Sequence, residues 1–310
     1  MSTADRQALQ ARFVEAIGRD RAKLNEPIGA RTTYRVGGNA AVLVTPHDAQ
    51  ELAEVVDTCV SHLDDGRQFE VLLIGRGSNM LVSDDGFDGL VIILGEGFET
   101  ITVDGTLATA GGAANLPVLA RRTTSLGLTG FEWAVGVPGS VGGALRMNAG
   151  GHGADIADSL VVAEVIDVRS GVRRSPTPTE LELSYRHSNL KPSEVVLAAT
   201  FRLALGDPDA SRAEISEIVH WRLEHQPGGQ NAGSVFSNPA NDSAGRLIDA
   251  AGLKGLRIGS AEVSTKHANF IQVDSNGSAD DVATLMKEIV KRVRDHCGIE
   301  LEPETRLVGF

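Results

Sequence analysis

A glycine-rich segment near the middle of the chain, GFEWAVGVPGSVGGALRMNAGGHG (130–153), restricts the possible folds most strongly. Eight consecutive residues of it include Gly136, Pro138, Gly139, Gly142 and Gly143. Ser140 is the predicted N-cap of a helix that starts within SVGGALRMN. Glycine has no Cβ, so its backbone can approach a ligand or another element closely. The segment therefore predicts either an anion site of backbone N–H groups at a helix start or a tightly packed crossover, and both stay open.

A second glycine loop, LLIGRGSNM (72–80), directly follows a predicted buried strand. Met80 stands where the dinucleotide fingerprint needs its third glycine, and no Gly-Lys-Ser/Thr follows, so the loop is neither that fingerprint nor a P-loop. Taken alone it is more typical of a tight turn. Two such loops in one chain favour a pyrophosphate held from two sides. The donors of this loop would be the backbone and side chains of Gly75, Arg76, Gly77, Ser78 and Asn79.

The order of predicted elements indicates a protein with mixed helices and strands. The first third reads β-α-β-β, residues from about 100 to 204 are rich in strands, and GDPDAS (206–211) is the best linker candidate. Helix 278–297 is the clearest element, because Val282, Leu285, Ile289 and Val293 form one apolar stripe. The other predicted elements are strands 41–46, 69–75, 89–94, 268–273 and the terminal TRLVGF, and helices 4–18, 47–62, ANLPVLARRTTSLGL (114–128), 211–226 and 242–252.

Composition limits the possible partners and compartment. A chain of 310 residues predicts two or three domains, and a net charge of −12 argues against nucleic acid as the main partner. No apolar run approaches the roughly 18 residues that span a bilayer, and MSTADRQALQ lacks the apolar core of a signal peptide. Cys59 and Cys297 are far apart and in no metal or redox spacing. We therefore expect a cytoplasmic protein without membrane insertion or a metal site.

Three polar residues are candidate catalytic groups. Arg186, next to Tyr185 in LSYRHSNL, has a planar charged fork that suits a carboxylate or an enolate. Ser234 lies in GQNAGSVFSNP, and Glu304 in LEPETRLVGF precedes an apolar strand. Each also has an ordinary interpretation: a surface arginine, a turn serine bonded to its own backbone, and a solvated acid or an ion pair with Arg306. No metal-ligand spacing and no nucleophile elbow is present, which disfavours a metalloenzyme or a hydrolase.

Taken together and in this order, these motifs resemble the bacterial UDP-N-acetylenolpyruvoylglucosamine reductase family of flavoenzymes. The combination is specific, although each stretch alone is only moderately so. The matching stretches span nearly the whole chain: RTTYRVGGNA (31–40), LLIGRGSNMLVSDDGFDGLVI (72–92), GFEWAVGVPGSVGGALRMNAGGHG (130–153), SYRHSNL (184–190), AGSVFSNP (232–239), AGRLIDAAGLKGLRIGSAEVSTKHANFI (244–271) and LEPETRLVG (301–309).

The resemblance implies an α+β fold. It implies a two-lobed FAD-binding module of the vanillyl-alcohol-oxidase type at 21–204, with lobes 21–95 and 96–204, followed by a C-terminal α/β substrate-binding domain at 205–310. The two glycine loops would hold the pyrophosphate of non-covalently bound FAD. The implied cofactor contacts are Gly75, Arg76, Gly77, Ser78, Asn79, Pro138, Gly139, Ser140, Gly142 and Gly143. The short stretch between Asn238 and Lys254 is similar to the compact form of the family.

The resemblance also implies a reaction. NADPH would be the co-substrate, and the enolpyruvyl group of UDP-N-acetylglucosamine enolpyruvate would be reduced to give UDP-N-acetylmuramate for peptidoglycan and cell-wall synthesis. The family's catalytic arginine, proton-donating serine and glutamate fall on Arg186, Ser234 and Glu304. Substrate contacts would fall on Tyr185, Asn238, Arg246 and Lys266. We expect a monomer or a weak homo-oligomer.

Two other functions stay open. The first is an FAD oxidase on the same fold that uses oxygen to oxidise an alcohol or a sugar; GRGSNM has no histidine or cysteine that could tether a flavin, which disfavours it. The second is a non-catalytic flavin-binding or nucleotide-sugar-binding protein. The presence of Arg186, Ser234 and Glu304 together argues against the second.

Overall fold

The computed structural model describes all 310 residues, Met1–Phe310. The chain forms two compact units, and each unit is assembled from three separate segments. The first unit comprises Met1–Glu26, Ala41–Arg76 and Asp88–His220, and the second comprises Pro27–Ala40, Gly77–Phe87 and Trp221–Phe310. Both units contain helices and strands, in agreement with the predicted α+β class.

The helices are seven in number: α1 (Thr3–Ile17), α2 (Ala49–Asp64), α3 (Leu116–Ser125), α4 (Val141–Arg146), α5 (Pro208–His225), α6 (Ala244–Ala250) and α7 (Ala279–Cys297). None of them combines the length and the apolar character that crossing a bilayer requires. The strands are β1 (Ala22–Pro27), β2 (Asn39–Val44), β3 (Glu70–Leu73), β4 (Met80–Val82), β5 (Phe87–Ile92), β6 (Ile101–Asp104), β7 (Leu107–Gly111), β8 (Leu128–Thr129), β9 (Gly150–Gly151), β10 (Ala154–Asp155), β11 (Leu160–Asp167), β12 (Arg173–Arg174), β13 (Glu194–Arg202), β14 (Ala204–Leu205), β15 (Arg257–Ile258), β16 (Ala261–Val263), β17 (Ile271–Val273) and β18 (Arg306–Val308).

Two large sheets build the first unit, which also contains the two-stranded sheets β10-β9 and β14-β8. The first has the strand order β1-β2-β5-β3, with β3 and β5 parallel, and it shares a core with α1 and α2. Helix α2 begins at Ala49 and not at His47 as predicted, because the Asp48 carboxylate accepts hydrogen bonds from the N–H groups of Gln50 and Glu51 and so caps the helix. The second sheet has the order β12-β11-β13-β7-β6 and shares its core with α3 and α4.

Helix α5 begins at Pro208, three residues before the predicted start at 211. The linker prediction treated the proline and aspartates of GDPDAS as non-helical. Proline is compatible with the first turn of a helix, where its missing N–H would have no partner, and Asp207 caps that turn by accepting from Asp209 N. The predicted start of this helix is therefore wrong.

The second unit consists of the antiparallel sheet β15-β16-β17, the parallel pair β18 and β4, and helices α6 and α7. The predicted apolar stripe of α7 is confirmed, since Val282, Leu285, Ile289 and Val293 are all buried. Gly298, at φ 76°, ends the helix in the left-handed conformation that glycine adopts without strain.

The start of α7 is held by a carboxylate that lies 194 residues earlier in the sequence. Asp84 accepts hydrogen bonds from Ser278 Oγ at 2.6 Å, Ala279 N at 3.1 Å and Asp280 N at 3.2 Å. We expect Asp84→Ala to lower the free energy of unfolding by about 1–2 kcal/mol, the cost of losing a helix cap. Denaturant unfolding would measure this, with Asp85→Ala as the matched control; equal effects of the two substitutions would contradict the capping role.

Candidate active site

The first unit contains a cavity of about 290 Å³ between its two sheets' loops and α4. One wall is apolar and is formed by side chains at the ends of β3, β5 and β13. The lining also includes main chain from both glycine segments. The apolar side chains are Leu73, Ile74, Ile92, Ile93, Leu94, Val195 and Val196, the small residues are Gly75, Gly95, Gly112, Ala113, Ser140, Gly142 and Gly143, and the charged residues are Arg76, Glu96, Glu99, Arg146 and Glu194.

Two of these glycines are required by close packing. A Cβ on Gly75 would overlap the Ser140 hydroxyl, and a Cβ on Gly112 would overlap the Val196 carbonyl oxygen. At these positions the cavity is therefore lined by backbone and by the Ser140 hydroxyl, with no room for a larger side chain at Gly75 or Gly112. A lining that combines apolar side chains with backbone N–H groups suits a ligand that combines a ring system with anionic groups.

The free backbone donors of the cavity come from the first glycine loop. The N–H groups of Gly75 and Arg76 donate to no other group of the chain. In the 130–153 segment, by contrast, Val141 N donates to Ala114 O and Gly142 N donates to Gly112 O, both at 2.9 Å. The Gly143 N–H points at the Ser140 hydroxyl at 3.3 Å, which makes Ser140 the N-cap of α4. Pro138 and Gly139 do not line the cavity.

The remainder of the first glycine loop belongs to the second unit. Gly77, at φ 61°, lies so close to the main chain of Arg31 and Thr32 that a Cβ would come within 2.7 Å of it. The Gly77 carbonyl accepts from Thr33 N at 3.0 Å. The N–H groups of Gly77, Ser78 and Asn79 have no acceptor within the chain. These three residues therefore present donors from a backbone fixed by the RTTYRVGGNA motif.

Ser234 and Glu304, predicted independently as catalytic groups, lie at one backbone junction of the second unit. Glu304 N donates to the carbonyl of Val235, the residue after Ser234, at 2.8 Å. Asn79 Nδ2 donates to Glu304 O at 3.2 Å, which ties the same junction to the first glycine loop. The Ser234 hydroxyl makes no hydrogen bond within the chain, so the interpretation as a turn serine bonded to its own backbone does not hold.

Asn269 fixes this junction, and sequence reasoning missed it. It is 4% exposed, accepts from Phe236 N at 3.0 Å and donates to Phe236 O at 2.8 Å. Its own carbonyl accepts from Val235 N at 2.9 Å. Val235 and Phe236 are buried and bonded to Asn269 through their backbones, and this fixes the position of the chain directly after Ser234. An asparagine within KHANF carries no spacing that would have indicated this role.

Arg186 lies in the first unit at a tight turn, where Ser184 and His187 exchange backbone hydrogen bonds. Its φ is 56°, a left-handed conformation that is rare for a residue with a side chain and is frequent at functional sites. Its guanidinium lies 5.3 Å from the centre of the Tyr185 ring, and Tyr185 is 58% exposed. The turn thus presents a cation and an aromatic ring together.

Sequence profiles of two protein families match the chain. The FAD binding domain matches residues 40–175, and the UDP-N-acetylenolpyruvoylglucosamine reductase C-terminal domain matches residues 224–308. The UDP-N-acetylenolpyruvoylglucosamine reductase of Rubrobacter xylanophilus is 42% identical over 93% of this chain and 95% of its own length. That of Synechococcus sp. is 43% identical over 91% of this chain and 92% of its own length. The chain belongs to the UDP-N-acetylenolpyruvoylglucosamine reductase family.

A solved structure agrees with this membership. The crystal structure of the UDP-N-acetylenolpyruvylglucosamine reductase from Thermus caldophilus has a TM-score of 0.78 and 34% identity, covering 93% of this chain and 98% of that protein. The resemblance, the α+β class with an FAD-binding module ahead of a C-terminal substrate domain, FAD as cofactor and the oxidoreductase class are therefore confirmed.

The remaining predicted substrate contacts of this reductase-family chain have partners within the second unit. Asn238 Oδ1 accepts from Ala244 N at 3.0 Å, beside the start of α6. Arg246 donates from Nε and Nη2 to the two carboxylate oxygens of Asp242. Lys266 Nζ donates to the carbonyl of Leu223 at 2.6 Å. Any substrate contact by these side chains would require them to exchange or share these partners.

Glu194, which lines the cavity of this reductase-family chain, is a buried acid with a strong partner. Its side chain is 4% exposed and accepts two hydrogen bonds from Arg174, at 2.7 and 2.9 Å, and one from Lys191 N at 2.8 Å. Burial alone would raise its pKa, but these donors outweigh burial and hold the pKa below its ordinary value of 4.5.

This balance predicts a pH dependence. Because the pKa is lowered by folding, the stabilisation is fully present above about pH 4.5 and is lost as the pH falls through the lower folded-state value. We expect Glu194→Gln to be less stable than wild type by roughly 1–3 kcal/mol at pH 7, with the difference shrinking towards pH 3. Denaturant unfolding at several pH values, with the exposed Glu164→Gln as control, would measure this; a difference that does not change with pH would contradict it.

Proposed function

We propose that this chain is an NADPH-dependent flavoenzyme that reduces the enolpyruvyl group of UDP-N-acetylglucosamine enolpyruvate to form UDP-N-acetylmuramate, in peptidoglycan precursor synthesis. The observation that carries the proposal is the junction at which Glu304 N meets Val235 O, beside a Ser234 hydroxyl with no partner in the chain. Family membership over more than nine-tenths of the chain supports the same reaction. The proposed FAD module is 21–204, with lobes 21–95 and 96–204, and the proposed substrate domain is 205–310.

The cavity of the first unit fits the adenosine and phosphate portions of FAD. Its apolar wall suits a purine ring, and the N–H groups of Gly75 and Arg76 are available for a phosphate. Ser140, Gly142 and Gly143 supply lining without bulky side chains. We propose that Gly77, Ser78 and Asn79 also contact the cofactor and that Pro138 and Gly139 have a supporting role. When bound, FAD supplies the transfer of hydride from NADPH to the terminal carbon of the enolpyruvyl group.

Arg186 is proposed to bind the substrate carboxylate. As hydride reaches the terminal carbon, negative charge develops on the carboxylate side of the double bond. A guanidinium keeps its positive charge at any working pH and matches a carboxylate with two parallel donors. Arg186 Nη2 donates to Gly150 O at 3.4 Å, and this contact limits how far the charge must reorganise during the reaction.

Ser234 is proposed to deliver the proton to the carbon next to the carboxylate. A serine hydroxyl is a weak acid, but a carbanion-like carbon is a far stronger base, so a positioned hydroxyl suffices. Because the hydroxyl has no partner in the chain, its proton is not held by another acceptor. Glu304, tied to the same junction through its backbone, is proposed to stabilise the developing charge by hydrogen bonding.

Other contacts and properties complete the proposal. Tyr185, Asn238, Arg246 and Lys266 are proposed to border the nucleotide sugar, whose phosphates would compete with Asp242 for Arg246. We further propose that the protein acts in the cytoplasm as a monomer or a weak homo-oligomer.

A spectroscopic experiment tests the proposed function. The purified protein should be yellow, release FAD on denaturation, bleach when NADPH is added without oxygen, and regain its colour when the enolpyruvyl sugar nucleotide follows. Bleaching that only oxygen reverses would support an oxidase instead. A protein that binds FAD but is not bleached by NADPH would support the non-catalytic alternative, and one that takes up no FAD would contradict the proposal.

A further inference from the structure

An ion pair crosses the wall of the cavity in the first unit. Arg76 Nη2 and Glu99 Oε1 are 3.1 Å apart, and both residues line the cavity. Their side chains are 44% and 46% exposed. Ion pairs this exposed contribute little stability, because water screens them and holding two long side chains costs entropy. Either partner can therefore be exchanged at low cost.

The backbone that carries Glu99 is fixed, so only its side chain is free to move. Glu99 follows a short 3-10 turn, Glu96–Phe98, whose Phe98 is buried. Gly97 N donates to His47 O at 3.0 Å, and a Cβ on Gly97 would lie 2.5 Å from the same oxygen. Breaking the ion pair is consequently a change of rotamer and not a change of fold.

Arg76 is the cavity's one cation that can change its partner at low cost. The other cation, Arg146, uses its terminal nitrogens on the carbonyl oxygens of Leu190, Lys191 and Glu194, at 3.2, 3.1 and 2.6 Å. Replacing those bonds would leave the part-buried carbonyl oxygens of Leu190 and Glu194 without these donors. The Arg76 side chain pairs with Glu99 alone, and the backbone N–H group of Arg76 has no acceptor in the chain.

We propose that Arg76 exchanges Glu99 for the diphosphate of FAD, so that Glu99 sets how tightly this chain retains its cofactor. The inference rests on the proposed function. A phosphate bound at the N–H groups of Gly75 and Arg76 lies beside the Arg76 side chain, and a guanidinium binds phosphate bidentately. Glu99 opposes this binding in two ways, by holding the cation and by repelling the anion.

The test uses the FAD-loaded protein and measures cofactor retention. Each variant is diluted stepwise, and free FAD is separated by ultrafiltration and quantified by fluorescence. We expect Glu99→Gln to bind FAD roughly two- to fivefold more tightly than wild type, and Arg76→Ala roughly tenfold more weakly. The gain from Glu99→Gln should shrink when ionic strength rises from about 0.05 M to about 0.5 M, because salt screens exposed charges.

The matched control is Glu96→Gln. Glu96 lies on the same turn and lines the same cavity but has no ion-pair partner, so its substitution removes the same charge without releasing Arg76. We expect it to change FAD affinity by less than about twofold. In an Arg76→Ala background the gain from Glu99→Gln should fall to the level of this control, as a double-mutant cycle would report.

Two results would overturn the exchange: equal effects of Glu99→Gln and Glu96→Gln, or a gain from Glu99→Gln that persists undiminished without Arg76. Both leave the proposed function intact, since the variants still bind FAD. A wild-type protein that neither carries nor takes up FAD would overturn the proposed function and the exchange together.

Discussion

Ser234→Ala is expected to keep the reduction of bound flavin by NADPH and to slow the reoxidation of that flavin by the enolpyruvyl substrate by about 10²–10⁴-fold, the usual contribution of a positioned proton donor. Alanine removes the hydroxyl and leaves the junction unchanged, because Val235 and Phe236 are anchored through their backbones by Asn269. Rapid-mixing measurements of the two half-reactions, each followed by flavin absorbance, would separate the effects.

The control for this substitution lies three residues away. Ser237 belongs to the same loop, and its N–H donates to Glu302 O at 2.9 Å, a contact that alanine retains. Ser237→Ala should therefore leave both half-reactions within a few-fold of wild type, as surface substitutions usually do. If Ser234→Ala slowed flavin reduction and flavin reoxidation equally, a proton-donating role would be excluded, since a misfolded loop would be the simpler cause.

The sequence predicted elements wherever one strong local preference decided the outcome. The apolar stripe of α7 and the cap at Ser140 depend on residues within a few positions of each other, and both were found as expected. The start of α5 was predicted wrongly because the effect of proline depends on its position. Proline breaks a helix in its interior but is favourable in its first turn. The hydrogen bond from Asp209 N to the Asp207 carboxylate shows that Pro208 stands in the first turn.

The sequence predicted which residues carry the chemistry of the candidate site, but not which residues hold them in place or pair with them. Arg186, Ser234 and Glu304 were identified by their motifs, whereas Asn269 and Glu99 were not. Asn269 acts through a hydrogen-bond pair with a residue 33 positions earlier, and Glu99 pairs with a residue 23 positions earlier. Such contacts depend on how distant segments pack. No periodicity or spacing within a single sequence encodes them.

Asn269→Ala is expected to be the most damaging of the single substitutions to stability. It removes two side-chain hydrogen bonds and leaves the N–H and C=O groups of Phe236, which is 1% exposed, without partners in a buried environment. Each buried group left without a partner costs about 1–3 kcal/mol, so for the two groups we expect the free energy of unfolding to fall by roughly 2–6 kcal/mol. Denaturant unfolding would measure the loss.

Amide hydrogen exchange and the kinetics of the two flavin half-reactions would show whether the lost stability affects the backbone beside Ser234. Amide hydrogen exchange in the Ala232–Pro239 peptide should accelerate, because local opening no longer breaks the Asn269 bonds. Gln272→Ala is the matched control: this side-chain amide near the same segment makes one exposed bond to Gly228 O, and its removal should cost less than about 1 kcal/mol.

Since a displaced Ser234 cannot deliver its proton, Asn269→Ala should also slow flavin reoxidation more than flavin reduction. Faster exchange with unchanged reoxidation would mean that Asn269 supports the fold but does not position Ser234.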